Sequence, residues 1–403
     1  MSAGSPRAPR ASAAHLNLPF FDEVHRQLGG RLRDWVEQQQ VDESDDRRAC
    51  RDWVKRLGAG GWLRYCVPAA QGGAMPRLDS RALVILRETL AFHSTLGDFA
   101  FAMQGLGSGA ITLAGSPEQK ERYLPKVAGG ELIAAFALSE ADAGSDVAAM
   151  RCLARPVAAE ASGESAYILE GGKTWISNGG LADFYCVFAK TDLEAGARGI
   201  TAFIVDAASP GFDASEPIQV MSPHPLASLK FNACLVRPEA RLGALNGGFK
   251  LAMRTLDIFR ASVAGAALGM ARRAMVEAVS HVKQRKMFGQ TLADFQLTQA
   301  RLGEMAALID AAALLTYRAA WMRDEAERQA SGARVTVEAA MAKMVATENA
   351  QKVIDMALQM FGGLGVKVGT TVERLYRDVR SLRIYEGATE VQQLIIGRAS
   401  LQG

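Results

Sequence analysis

Residues 166–191, AYILEGGKTWISNGGLADFYCVFAKT, decide the fold class, because they interrupt a chain that is otherwise patterned for helices. Short β-rich runs are separated here by glycine, asparagine and aspartate turns. Residues 132–146, 199–209 and 226–238 repeat that pattern. The sequence therefore predicts a small antiparallel β domain over residues 134–245.

On both sides of this region apolar residues recur at helical spacing. Residues 81–115 and the Ser-Pro entry at Ser116 predict an N-terminal α-helical domain over residues 16–133. Four long helical stretches with short breaks predict a C-terminal four-helix bundle over residues 246–403. The predicted fold class is thus α+β, in the order helices, sheet, helices. Residues 1–15, rich in Ala, Ser, Pro and Arg, are predicted to form a disordered tail.

Composition argues against several classes of function. The 403 residues carry 46 basic and 43 acidic side chains without a basic stripe, so nucleic acid is not expected as a partner. No apolar stretch reaches the roughly 18 residues that a membrane span needs. Five cysteines without a C-x-x-C pair predict a reducing, cytoplasmic compartment. The five histidines lack metal-ligand spacing, so no metal is expected.

Residues 383–392, RIYEGATEVQ, place a carboxylate at a break between two helical stretches. Gly387 weakens the first helix, since glycine costs ~1 kcal/mol relative to alanine. Thr389 and Gln392 fit a capping box that starts the next helix. From this segment alone, Glu386 is either a solvated loop acid or a base aimed at a substrate.

Two glycine-containing turns of the β region are candidate ligand contacts. ALSEADAGSD (137–146) combines hydroxyl, carboxylate and glycine after a strand, and KTWISNGG (173–180) carries Trp175 and Ser177. Glycine turns let backbone N–H groups approach a ligand closely, and an indole offers a face for stacking. The alternative is a tryptophan in the β core beside ordinary turn residues.

Together, five stretches resemble the successive motifs of the FAD-dependent acyl-CoA dehydrogenases, in that family's order and spacing. The resemblance covers the chain from about Leu57 to Gln402 and implies the same α–β–α fold. The stretches are FALSEADAGSDVAAM (136–150), GGKTWISNGGLADFYCVFAKT (171–191), RKMFGQTLADFQLTQARLGEM (285–305), QMFGGLG (359–365) and RLYRDVRSLRIYEGATEVQ (374–392).

The resemblance implies FAD as cofactor and Glu386 as the catalytic base of the family's majority branch. A second branch carries its glutamate on the first bundle helix, where this chain has Phe259, which cannot accept a proton. The residues implied to bind FAD are Phe136, Leu138, Ser139, Trp175, Ser177, Arg285, Phe288, Gln296, Gln359, Gly362, Gly363, Thr389 and Glu390. The residues implied to bind the substrate are Ser145, Phe101, Met103, Gln104, Leu256, Phe259, Arg260 and Gly387.

The implied reaction is α,β-dehydrogenation of an acyl-CoA thioester to the trans-2-enoyl-CoA. Glu386 would take the α-proton, and flavin N5 would take the β-hydrogen as hydride. Phe101 and Phe259 in the implied acyl pocket indicate a short, cyclic or branched acyl group. The family also implies an electron-transfer flavoprotein as oxidant and a homo-oligomer, commonly a dimer of dimers (a homotetramer).

Departures from the family pattern keep alternatives open. Ala388 and Met287 stand where the family usually has threonine, and residues 221–231 are shorter than the family segment that borders the CoA nucleotide. A thioester of an acyl-carrier protein could therefore replace CoA, and His224 is either a phosphate contact or a solvated loop residue. A flavin-dependent oxidase or monooxygenase, and a non-catalytic scaffold, remain alternatives on the same fold.

Overall fold

The computed structural model describes residues 10–157 and 166–402, and in it helices precede and follow a β-sheet. This order confirms the predicted fold class of an N-terminal helical domain, a middle β domain and a C-terminal helical domain. The described α-helices are α1 Glu23–Val36, α2 Asp46–Ala59, α3 Ser80–His93, α4 Thr95–Ala114, α5 Pro117–Gly129, α6 Gly248–Gln284, α7 Gln296–Arg328, α8 Thr336–Phe361, α9 Thr371–Leu382 and α10 Thr389–Gln402.

The middle of the chain forms one sheet, in the strand order β6-β7-β3-β2-β4-β5-β8, with β1 beside β4. The strands are β1 Ala134–Ala137, β2 Leu153–Val157, β3 Ala166–Ser177, β4 Phe184–Lys190, β5 Ile200–Asp206, β6 Phe212–Ile218, β7 Leu226–Val236 and β8 Arg241–Leu242, while β9 Lys286–Met287 and β10 Gln290–Thr291 form a separate hairpin. Most neighbouring strands are antiparallel, as predicted, but β1 runs parallel to β4 and β2 meets β4 in parallel. The intervening chain supplies the crossover that a parallel pair requires.

Regular structure begins before residue 15, where the predicted tail ends. Residues 1–9 lie outside the described residues, but Ala14–Asn17 form a 3₁₀ helix. The His15 ring stacks on Tyr317, with ring centroids 5.5 Å apart. The boundary at residue 15 was therefore wrong, because a tertiary aromatic contact that composition cannot reveal orders this segment.

Two compact units make up the chain. Unit 1 contains Met1–Gln40, Ser80–Asp98 and Arg260–Gly403, and unit 2 contains Val41–Asp79 and Phe99–Phe259. The three-domain division at residues 133 and 245 follows secondary structure, and it stays a prediction. None of the described helices is long and apolar enough to cross a membrane.

Unit 2 contains the sheet, whose central strand β4 is buried along its whole length. Helix α5 begins as the sequence predicts. The Ser116 hydroxyl accepts from the Gln119 N–H at 3.2 Å, the Gln119 side chain accepts from the Ser116 N–H at 3.0 Å, and Pro117 occupies the first turn. This reciprocal cap satisfies two backbone donors that a helix start otherwise leaves free.

In unit 1, α8 packs against α7, α9 and α10. Alanines are prominent on its buried face, including Ala339, Ala346 and Ala350, and they allow close packing of helices. The last helical stretch of the predicted bundle is divided into α9 and α10. The division falls at residues 383–388, where the sequence placed a break beside Glu386.

Candidate functional site

The connection between α9 and α10, residues 383–388, holds Glu386 in an unusual backbone conformation. We call this segment the base turn. Glu386 has φ +51° and Gly387 has φ +93°, so both lie in the left-handed region. A non-glycine residue is uncommon there, and such strain persists only where surrounding contacts enforce it. A Cβ at Gly387 would meet the side-chain nitrogen of Gln392 at 2.3 Å, so the turn also requires this glycine.

Two buried donors fix the carbonyl of Gly387. Lys343 Nζ, from α8, donates to this oxygen at 2.7 Å, and Gln392 Nε2, from α10, donates to it at 2.9 Å. Neither Lys343 nor Gln392 has measurable solvent exposure. The peptide that follows Glu386 is therefore held from two helices.

The predicted capping box at the start of α10 was wrong. Thr389 Oγ1 donates instead to Glu348 Oε1 at 2.6 Å, and the Gln392 amide is committed to Gly387. Arg383 Nε donates to the same Glu348 oxygen at 2.8 Å, so α8 ties both ends of the base turn. Tertiary partners on α8 outcompete the local cap, which explains why the local pattern was misleading.

Glu386 is half-buried, and one of its two carboxyl oxygens is enclosed. Its Oε2 atom is buried, and no described residue hydrogen-bonds to it. Burial raises the pKa of Glu386 above its ordinary value, while the positive charges of Arg87, Lys343 and Arg260 oppose that rise and Asp98 adds to it. The alternative of a solvated loop acid does not fit a buried oxygen without a partner, which is the environment of a base poised for proton transfer.

An ion pair in unit 1 belongs to the same electrostatic environment. Arg87 Nε and Nη2 donate to the two Asp98 carboxylate oxygens, each at 2.9 Å, and Nη1 donates to Ser262 Oγ at 3.2 Å. Both members of the pair are almost completely buried. Arg87 also lies within electrostatic reach of Tyr385 and Glu386, consecutive residues of the base turn.

Sequence reasoning missed Arg87, Asp98 and Lys343. Arg87 follows the apolar run of residues 82–86, and Lys343 stands among buried alanines in AAMAKMVA (339–346). A charged residue on the apolar face of a helix was the available signal, because an ion is rarely buried without a specific partner.

Four residues predicted to bind FAD converge in unit 1. Arg285, Gln359, Gly362 and Gly363 line one groove of about 840 Å³ between the end of α6 and the end of α8. We call it the α6–α8 groove. His281 and Phe361 stack in its wall, with ring centroids 4.1 Å apart and planes 16° from parallel.

Exposed groups in the α6–α8 groove suit a dinucleotide. The Arg285 side chain is exposed and forms no ion pair with any described residue, and a planar guanidinium can bond two phosphate oxygens at once. A Cβ at Gly362 or Gly363 would meet nothing within 4 Å, so both glycines leave open space. Phe288, 86% exposed, and Gln296 do not line this groove, and neither does Thr389 or Glu390.

Unit 2 presents Trp175 at a bulge in β3. Its side chain is 58% exposed and its φ is +59°, so the alternative of a core tryptophan was wrong. Ser177 is half-buried two residues later. Because β3 shifts register between Lys173 and Ile176, the indole turns outward while Ile176 stays in the core.

The turn after β1, predicted to contact FAD, is anchored to β3. Lys173 Nζ donates to the Leu138 carbonyl at 3.1 Å and to Glu140 Oε1 at 2.7 Å. The Thr174 N–H donates to the Ser139 carbonyl at 3.0 Å. These bonds bring Leu138 and Ser139 beside the Trp175 bulge within unit 2, while Phe136, earlier in β1, packs against Phe188.

The predicted substrate residues of unit 2 are mainly buried. Phe101, Met103, Leu256 and Phe259 are at most 9% exposed, and Ser145 is exposed. The Phe259 ring packs over α4 so closely that a Cβ at Gly105 would lie 2.7 Å from it.

Gln104 was wrongly assigned to the substrate. Its Nε2 donates to the Leu132 carbonyl at 2.8 Å, and its Oε1 accepts from the Ala134 N–H at 2.9 Å. Both ends of the side-chain amide are bonded to backbone, so Gln104 fixes the start of β1 against α4. The side chain is fully buried and cannot reach a ligand.

His224 is half-buried in unit 2. The ring stacks on Phe99, with centroids 4.6 Å apart, and burial lowers its pKa to about 4. The stacked ring does not fit the alternative of a solvated loop residue, and the phosphate contact stays a prediction.

Comparison with known proteins identifies the class. Three family profiles match the chain in order: acyl-CoA dehydrogenase N-terminal domain over residues 22–131, middle domain over residues 135–234 and C-terminal domain over residues 246–401. They define an FAD-dependent oxidoreductase class that acts on CH–CH bonds. The chain belongs to the acyl-CoA dehydrogenase family.

Individual relatives match along almost their whole length. The 3-(aryl)acrylate reductase of Clostridium sporogenes is 38% identical over 384 residues, covering 94% of this chain and 98% of that protein. The caffeyl-CoA reductase-Etf complex subunit CarC of Acetobacterium woodii is 34% identical over 387 residues, again 94% and 98%. The solved butyryl-CoA dehydrogenase of Megasphaera elsdenii superposes with a TM-score of 0.85 at 32% identity, covering 94% of this chain and 99% of that one.

Proposed function

We propose that this protein catalyses α,β-dehydrogenation of an acyl-CoA thioester to the trans-2-enoyl-CoA, with Glu386 as the base. The observation that carries the proposal is the buried Glu386 Oε2, which has no hydrogen-bond partner among the described residues. An oxygen enclosed without a partner is costly unless a bound group or a transferred proton satisfies it.

Glu386 would remove the α-proton of the thioester. A carboxylate in water is too weak a base for this step, and burial raises the pKa of Glu386 towards the operating range of a general base. The Glu386 backbone N–H has no acceptor among the described residues and would donate to the thioester carbonyl, where negative charge develops. One residue of the base turn thus offers both an acceptor for the proton and a donor for the forming enolate.

Two sets of residues, one in each unit, would contact FAD, and the family pattern assigns the α6–α8 groove to the FAD of a neighbouring subunit. Arg285, Gln359, Gly362 and Gly363 of the α6–α8 groove suit its diphosphate and adenosine, and the exposed Trp175 face suits its ring. Ser177, Leu138 and Ser139 would complete the ring contacts from the anchored strand ends of unit 2. FAD, once bound, supplies the two-electron oxidising power that no side chain has.

The acyl group would be short, cyclic or branched. Support comes from Phe259, whose ring lies against α4 at Gly105 and Gly109, so that volume next to the helix is filled by the protein. The similarity to a butyryl-CoA dehydrogenase agrees with a short acyl group.

A second candidate function is the same reaction in the direction of reduction. The relatives named 3-(aryl)acrylate reductase and caffeyl-CoA reductase subunit favour it, at 38% and 34% identity. The base that removes the α-proton in one direction delivers it in the other, so Glu386 would serve both.

The remaining partners follow from the family. An electron-transfer flavoprotein would exchange electrons with the bound flavin, as supported by the relative that is a subunit of a complex with Etf. The active species would be a homo-oligomer, a dimer of dimers. Five buried free cysteines agree with the proposed cytoplasmic location.

Anaerobic titration of the purified holoenzyme tests this proposal. The preparation should be yellow, and its flavin absorbance should bleach with a short acyl-CoA. If the direction of reduction is favoured, the dithionite-reduced enzyme should regain its colour with an enoyl- or aryl-acryloyl-CoA. A panel of acyl-carrier-protein thioesters separates the carrier alternative, and the rate of reoxidation by oxygen separates an oxidase. A colourless protein that cannot be reconstituted with FAD would contradict the proposal.

A further inference from the structure

Within the described part of the chain, Lys343 is the one charged residue that hydrogen-bonds to the peptide following Glu386. Its side chain is completely buried on α8, and its hydrogen bond runs to the Gly387 carbonyl at 2.7 Å. Burying an ammonium ion for a single carbonyl is unfavourable, since a neutral donor such as an amide would form the same bond. The charge therefore needs a reason other than the hydrogen bond.

The charges around Lys343 point to Glu386 as that reason. Burial lowers the pKa of Lys343 to about 8, and Glu386 is the strongest of the negative charges that oppose this, ahead of Glu348 and Glu390. Glu348 is occupied by Arg383 and Thr389. With a pKa of about 8, Lys343 is mainly protonated at neutral pH, and its Nζ bonds the peptide that follows Glu386. Glu386 Oε2 has no hydrogen-bond partner among the described residues.

The main charges that act on Glu386 come from residues of unit 1 on four helices, and the neighbouring Tyr385 is also coupled to it. Arg87 of α3, Lys343 of α8 and Arg260 of α6 favour the ionised carboxylate, and Asp98 of α4 disfavours it. Arg87 is already matched by Asp98 through a bidentate pair. Lys343 forms no ion pair with any described carboxylate, and its charge ranks second after that of Arg87 among those that oppose the raised pKa of Glu386.

We propose that Lys343 is a positioning residue for the base: its ammonium holds the Gly387 peptide and keeps the Glu386 carboxyl ionised at the working pH. Gln392 also holds the Gly387 peptide, because it donates to the same carbonyl. It does not keep the Glu386 carboxyl ionised, because it is neutral. The inference rests on the proposed function of Glu386 and adds the group that sets its protonation state.

Lys343→Gln tests the proposal, because it keeps a donor and removes the charge. In the Lys343→Gln holoenzyme, the Glu386 carboxyl should titrate at a higher pH than in the parent. Isotope-edited infrared spectroscopy with ¹³C-glutamate measures this titration. The Glu386 signal is the one that disappears in Glu386→Gln. The ratio of kcat/KM at pH 6 to that at pH 8 should fall by roughly tenfold. Gln392→Leu should lower the rate and leave the titration in place, and the exposed Lys126→Gln should change neither.

An unchanged Glu386 titration in Lys343→Gln would overturn the proposal. If Lys343→Gln does not fold, Lys343→Met, which is of similar length and apolar, replaces it, and the titration of Glu386 should shift in the same direction. If neither variant folds, the lysine is a structural requirement and the proposal is wrong. The infrared readout needs no turnover. A parent that acts on no thioester contradicts the proposed function alone, whereas an active parent with an unshifted variant contradicts this inference alone.

Discussion

Arg87 and Asp98 form a bidentate ion pair inside unit 1, with both hydrogen bonds 2.9 Å long. Breaking such a pair leaves a buried charge without its partner, so Asp98→Asn should lower the free energy of unfolding by about 3–5 kcal/mol. The same change should lower the pKa of Glu386, because Asp98 is one of the groups that raise it. Urea denaturation and the acidic limb of the kcat/KM pH profile measure the two effects.

A surface pair provides the control. Asp52 and Arg56 are joined on α2 by a hydrogen bond of 3.0 Å, with side chains about two-fifths exposed. Asp52→Asn should cost no more than about 1 kcal/mol, since exposed pairs contribute little. Equal losses in the two variants would show that the Arg87–Asp98 pair has no special weight.

Trp175→Ala tests the proposed flavin contact. Removing an exposed indole should leave the stability of the FAD-free protein within about 0.5 kcal/mol. FAD affinity should fall by about 2- to 12-fold if the stacking contact is worth about 0.5–1.5 kcal/mol. Flavin fluorescence titration of the apoprotein measures this, with Leu235→Ala, a residue of similar exposure in β7, as the matched control. Unaltered affinity in Trp175→Ala would remove the indole from the FAD site.

Ser116→Ala tests the helix start that the sequence predicted. Loss of the hydroxyl that accepts from the Gln119 N–H should lower the free energy of unfolding by about 0.5–2 kcal/mol. Turnover at a temperature well below the transition should not change. Ser116→Asp, which keeps a capping oxygen at the helix N-terminus, should recover most of the loss. A stable Ser116→Ala variant would mean that Pro117 and the packing of α5 suffice.

The sequence could predict features that depend on local pattern. The change from helical to strand period located the sheet, Ser116-Pro117 located the start of α5, and Gly387 located the break beside Glu386. Each of these follows from backbone propensities that act over a few residues.

Other features depend on partners distant in sequence and were not predictable. Thr389 and Gln392 do not form the predicted cap, because they hydrogen-bond to Glu348 and to the Gly387 carbonyl. The Gln104 amide does not reach a ligand, because it hydrogen-bonds to the backbone at the start of β1. The role of Lys343 could not be predicted because its carbonyl partner is 44 residues away. A single sequence shows that a charged residue lies on the apolar face of a helix. It does not show which group that residue contacts in the folded protein.

The raised pKa of Glu386 also predicts a dependence of stability on pH. Because its pKa is raised in the folded state, Glu386 contributes stability at low pH that is lost as pH rises through the folded pKa. Glu386→Gln stays neutral and should therefore have a higher Tm than the parent at neutral pH, on the order of 1–3 °C. The difference should vanish near pH 4. Calorimetry of the FAD-free proteins checks this, with the exposed Glu121→Gln as control; a constant difference at every pH would contradict the raised pKa.

The most direct test of Glu386 as the base is a single anaerobic mixing experiment with the holoenzyme and a short acyl-CoA. Glu386→Gln should retain yellow, bound FAD and bleach at least about 100-fold more slowly than the parent, up to about 10⁴-fold, since the amide cannot accept the α-proton. Flavin reduction in Glu386→Gln at the rate of the parent would contradict the account.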